Sequence, residues 1–90
     1  MKKIRFTSAL KRFFPSLHEE YVQGETVSEV LDQLERKYPG LKDYLVDEGG
    51  SMRKHINIFI GDQLITDREG LTDIVEEGEE ILIFQALSGG

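Results

Sequence analysis

One helical stripe constrains this chain more than anything else in it. Val27, Val30, Leu31, Leu34 and Tyr38 stand at i, i+3, i+4, i+7 and i+11, which is one face of one α-helix. Thr26 is placed to cap its N-terminus, and Glu29, three residues on, completes a capping box. Pro39-Gly40 stops it. Glu29, Asp32, Glu35 and Arg36 fall off the stripe and should face water. With 90 residues in all, the remaining apolar groups have this one face to cover.

Elsewhere the period is two. Ile4 and Phe6 alternate with Lys3, Arg5 and Thr7, a half-buried strand over residues 2–7. Residues 9–17 are mixed, with a turn at Pro15, and residues 18–22 read as a short strand returning antiparallel, ended by Gly24. Leu41, Tyr44 and Leu45 predict one further helical turn, and residues 47–53, with Gly49-Gly50, a flexible loop. Residues 54–60 then alternate, with Ile56, Ile58 and Ile60 on one face and His55, Asn57 and Phe59 on the other. Gly61-Asp62 predicts a two-residue type II′ hairpin, Gly61 supplying the positive φ, and residues 63–66 a short return strand. Residues 67–78 read as loop with a single helical turn around 71–74, and residues 80–84, or 80–86, as the last strand.

This order leaves one sheet face for one helix, and the economical answer is a single mixed sheet curled over it. The expected fold class is α+β: a β-grasp (ubiquitin-like) roll of four to five strands packed on one amphipathic helix. Residues 1–90 form one domain, and its first and last strands are parallel neighbours at the centre. The expected core is Ile4, Phe6, Val27, Val30, Leu31, Leu34, Ile56, Ile58, Ile60, Ile81 and Ile83.

Composition removes most chemistries. With no cysteine there is no disulfide, thiolate metal site or cysteine nucleophile, and His18 and His55 lack zinc-ligand spacing. Asp43, Asp47 and Glu48 sit in a loop without a base, nucleophile or ligand partner. Net charge is −6, which repels a phosphate backbone and argues against nucleic acid. The charge is uneven: five of eleven basic groups fall in the first twelve positions, and eight acidic groups oppose only Arg68 between Asp62 and Glu80. No segment is apolar enough for a membrane helix or a signal peptide, so a cytoplasmic location without membrane contact is expected.

The chain ends Ser88-Gly89-Gly90. Together with Ile4-Arg5-Phe6, Thr26-Val27…Leu31…Leu34, Tyr38-Pro39-Gly40-Leu41, Ile56-Asn57-Ile58-Phe59-Ile60 and Gly78-Glu79-Glu80-Ile81, this tail makes the sequence resemble the MoaD/ThiS/CysO family of sulfur carriers over nearly its whole length. Gln85-Ala86 stand where the molybdopterin type usually has a Pro-Pro pair. The Gly49-Gly50 loop, His55-Ile56-Asn57-Ile58 and the tail are more similar to the cysteine-biosynthesis type, CysO.

The resemblance implies that the working group is the terminal carboxylate of Gly90. An E1-like partner enzyme would adenylate it with MgATP, and a sulfur donor would displace AMP to leave a thiocarboxylate. That sulfur would pass to a synthase making cysteine, molybdopterin, thiamin or a related metabolite. The chain itself would bind no cofactor and no metal. It would be a protein co-substrate rather than an enzyme, or a non-catalytic small subunit if molybdopterin-synthase-like. The flexible tail, residues 86–90, would reach on the order of 17 Å, with Leu87, Ser88 and Gly89 entering the partner. Neither terminal glycine has a Cβ to obstruct a narrow channel. If Ile81 and Ile83 face the helix, Leu82 and Phe84 face away beside Phe59, an apolar patch for the partner. Two alternatives stay open: a ubiquitin-like modifier conjugated through Gly90, and a passive β-grasp interaction module.

Overall fold

Alternation along the strands places Ile4, Phe6, Ile56, Ile58, Ile81 and Ile83 on one sheet face, all of them buried. The computed structural model of the chain describes residues 1–86. Its elements are β1 (Lys2–Phe6), α1 (Ser8–Lys11), β2 (Glu20–Val22), α2 (Val27–Lys37), α3 (Leu41–Leu45), β3 (Ile56–Ile60), β4 (Gln63–Leu64) and β5 (Glu80–Gln85). The sheet order is β2-β1-β5-β3-β4, with β1 and β5 parallel and every other pair antiparallel. Against this sheet α2 buries Val27, Val30, Leu31 and Leu34, each such side chain stabilising the fold by roughly 1.5–3 kcal/mol over an exposed one. This is the β-grasp roll.

Several expectations are corrected in detail. Residues 8–11 form a helical turn, α1, which buries Ala9 and Leu10 where a mixed segment was expected. Strand β2 begins at Glu20, and β4 ends at Leu64. Ile60, the last residue before the hairpin, is half-buried and packs at the rim of the core rather than inside it. At the hairpin, Gly61 has φ +63 while Asp62 stays out of the left-handed region, as a type II′ turn requires.

No helical turn forms over residues 71–74. Instead Asp67 accepts from the backbone N–H groups of Glu69, Gly70 and Thr72 and from the Thr72 hydroxyl. Asp73 likewise accepts from the N–H groups of Thr66 and Asp67. Aspartate side chains thus hold this stretch in side-chain-bonded turns, and Leu71 lies in the left-handed region at φ +55. Leu71 and Val75 are buried all the same, so this loop contributes to the core.

The capping box also differs by one residue. Thr26 Oγ1 accepts from Glu29 N–H at 3.2 Å, but the Glu29 carboxylate reaches Glu25 N–H, at 2.8 Å. Glu35 links two helices, accepting from the N–H groups of Gly40 and Lys42 at the start of α3. Those two bonds, Gly40 first, hold its carboxyl below the usual range. Two charged residues are buried: Lys2, which pairs with Glu77 at 3.6 Å, and Glu20, which accepts from the Tyr38 hydroxyl and pairs with Lys37 at 3.0 Å and His18 at 3.0 Å.

Candidate functional site

The sheet face opposite the helices is built in rows by strand register. Phe59 lies across from Leu82 on β5 and from Leu64 on β4, and Leu82 lies across from Arg5 on β1. Two residues along β5, Phe84 stands across from Asn57. Directly opposed residues share a face, so Phe59, Leu82 and Phe84 are brought together as their alternation implies. All three are half-buried. Leu64 joins them at 53% exposure. A two-residue turn at Gly61-Asp62 fixes its pairing with Phe59, so this neighbour is implied by the turn although the strand pattern alone does not single it out.

Polar groups frame this apolar row. Arg5 pairs with Glu80 at 3.1 Å and Glu19 at 3.4 Å. Asn57 is held by Arg68 at 2.9 Å, whose guanidinium also donates to the carbonyl of Arg53. An apolar centre with a paired, polar rim is the usual anatomy of a protein-binding surface.

Three segments converge where β5 ends. The Gln85 N–H donates to Thr7 Oγ1 at 3.3 Å, and the Ala86 N–H to the His55 carbonyl at 2.8 Å. Tyr44, on α3, donates its hydroxyl to Gln85 Oε1 at 2.9 Å. Around Tyr44 stand Phe13, Phe14 and His55, with ring centroids 5.2, 5.8 and 6.3 Å away. Gln85 and Ala86 are therefore held in fixed positions. Leu87, Ser88, Gly89 and Gly90 lie outside the described residues. The Phe13-Phe14 pair is visible in the sequence, but no periodicity ties it to Tyr44 or to the tail.

Among the described residues no group of three His, Asp or Glu side chains could hold a metal ion. No described helix is long and apolar enough to cross a membrane.

The model of the ThiS family matches residues 4–90. The chain belongs to the ThiS family. The match takes in the terminal Gly89-Gly90 as well as the sheet and helix. Over 69 residues, 74% of each protein, this ThiS-family chain is 29% identical to the sulfur carrier protein CysO of Mycobacterium tuberculosis. Among solved structures it is similar to the matching chain of the BexX/CysO complex of Amycolatopsis orientalis. That likeness has a TM-score of 0.86 at 26% identity and covers 100% of both chains. It is also similar to small archaeal modifier protein 1 of Methanosarcina acetivorans, at TM-score 0.78 and 30% identity, covering 99% of this chain and 95% of that one. The proteins it is similar to thus include both a sulfur carrier protein and a small archaeal modifier protein.

Proposed function

We propose that this ThiS-family chain is a sulfur carrier whose reactive group is the carboxylate of Gly90. The observation that carries the reading is the family match running through the terminal Gly-Gly of a β-grasp domain. A carboxylate is a poor electrophile, so an E1-like enzyme first joins it to AMP from MgATP and releases pyrophosphate. A sulfide donor then attacks the acyl carbon, AMP leaves, and Gly90 becomes a thiocarboxylate. The chain supplies position rather than acid, base or metal, and Phe59, Leu82 and Phe84 dock the partner while Leu87, Ser88 and Gly89 enter it. The likeness to CysO favours a cysteine-type acceptor synthase over the molybdopterin and thiamin types.

The likeness to an archaeal modifier protein at 30% identity favours a second reading, conjugation of Gly90 to a target lysine. Both chemistries use the same activated tail, and intact mass separates them. Incubation with the matched activating enzyme, MgATP and sulfide should replace one oxygen by one sulfur on the full chain. If isopeptide adducts accumulate in cells and no thiocarboxylate ever forms, the carrier reading is wrong and the modifier reading stands.

A further inference from the structure

The chain has eleven Lys and Arg residues, and most have an assigned partner. Lys2, Lys3, Arg5, Lys37 and Lys42 form ion pairs with carboxylates. Arg53 donates to the Asp43 carbonyl, and Arg68 to Asn57 and the Arg53 carbonyl. Among the described residues this leaves Lys11, Arg12, Arg36 and Lys54 without a partner, and all four are exposed.

Three of those four belong to the end of the molecule from which the tail leaves. Lys11 closes α1 and, with Arg12, leads directly into Phe13, which packs at a tilt against Tyr44. Lys54 precedes His55, whose carbonyl holds the Ala86 N–H. Phe13 is 61% exposed, a large ring kept on the surface beside cations in a protein of net charge −6. Three acidic groups are near in sequence. Asp47 is committed to the N–H groups of Gly49 and Ser51, while Asp43, beside Tyr44, and Glu48 are exposed without an ion pair among the described residues.

The opposite end is acidic. There the start of β5 and the β3–β4 turn bring together Asp62, Glu76, Glu77, Glu79 and Glu80. Met1 and Lys2 offset Glu77 and Arg5 offsets Glu80, so among the described residues the far end keeps Asp62, Glu76 and Glu79 without an ion pair, while the root of the tail keeps three cations without one.

We propose that this collar at the root of the tail, made of Lys11, Arg12, Lys54 and the ring of Phe13, is a second docking surface, which receives a carboxylate-rich rim around the partner pocket that admits the tail. It rests on the proposed activation of Gly90, since an enzyme that adenylates the terminal carboxylate must admit the tail to a pocket. An acidic rim attracts the cationic end and repels the acidic one, so the first encounter already points the tail inward. Such steering acts on association and weakens with salt. Phe13 then offers an aromatic contact inside the charged ring, and aromatic and Arg side chains are the ones most enriched in interface anchors.

The test is pyrophosphate exchange by the matched activating enzyme, with the full chain as the varied substrate. Lys11→Glu/Arg12→Glu/Lys54→Glu should raise the KM for the carrier by about tenfold or more at low salt and leave kcat within about twofold. The gap should narrow as ionic strength rises. Phe13→Ala should raise KM less, without the salt dependence. Arg36→Glu, the fourth unpartnered cation but on α2, should leave KM unchanged. An unchanged KM in the folded triple variant, with wild-type exchange intact, overturns the collar and spares the carrier reading. Absence of any exchange with the wild-type chain overturns both.

Discussion

Glu20 shows how one buried carboxylate is tolerated at the edge of a small core. Burial pulls its pKa up, but hydrogen bonds from Tyr38 and Lys37, with the charges of Lys37 and His18, outweigh burial and bring it below the usual range. A depressed carboxylate stabilises the fold above its unfolded pKa, and the contribution is lost as pH falls through the folded value. Tyr38 has the opposite sign. Burial, then the bond it donates to Glu20, push its hydroxyl up to about 12 from 10.0. Its contribution is therefore complete below pH 10 and decays as pH rises toward 12. Tyr38→Phe removes the donor and should cost on the order of 1.5–3 kcal/mol at neutral pH, the range for a hydrogen bond to a charged group. The variant should also lose stability at higher pH on the acid side, and lack the wild-type decline between pH 10 and 12. Urea unfolding across pH measures all three; an alkaline limb identical to wild type would mean that this hydroxyl is not coupled to folding.

Among the elements, β5 divides its side chains between the core and the sheet's open face. Phe84→Glu places a charge beside Phe59 and Leu82 without touching the buried face of β5, where Ile81 and Ile83 lie. Folding should survive with little change in Tm, while the KM for the carrier in adenylation rises by roughly tenfold, the scale for losing one well-packed interface anchor. A folded Phe84→Glu chain with wild-type KM would remove this face from the docking surface. The face was legible in the sequence because period two allows only one partition of β3 and β5 between core and solvent. Helix α2 was legible for the same reason, its period being uninterrupted from Val27 to Leu34. The stretch over residues 66–75 was not. Its conformation depends on two aspartates taking backbone donors from residues several positions away, and no apolar period records that choice. The aromatic group around Tyr44 was hidden likewise, because Phe13, Tyr44 and His55 meet only through tertiary folding.

On the scale of the whole molecule, the proposed carrier role makes the domain a handle for one terminal group. In that role its strands fix the position of Ala86, its open face and the collar would hold a partner, and the four residues after Ala86 would reach the chemistry. Four extended residues span at most about 14 Å, so the position of the last carbonyl carbon is set to within one residue by the chain length. Deleting Gly90 still leaves a glycine carboxylate, that of Gly89, but withdraws it by about 3.5 Å. Stability should be unchanged, since a terminal residue beyond the strands contributes few buried contacts. Thiocarboxylate formation should fall by about 100-fold or more, because misplacing reacting atoms by even 1 Å is costly on that scale. Replacing Gly90 by alanine keeps the length and adds a Cβ beside the reacting carbon, so its loss should be smaller than that of the truncation if reach dominates, and comparable if crowding does. Intact mass after incubation with the activating enzyme, MgATP and sulfide reads both variants in the same assay. If the truncated chain acquired sulfur as fast as the full one, the enzyme would be indifferent to where the carboxylate sits, and the role proposed for Gly90 would be wrong.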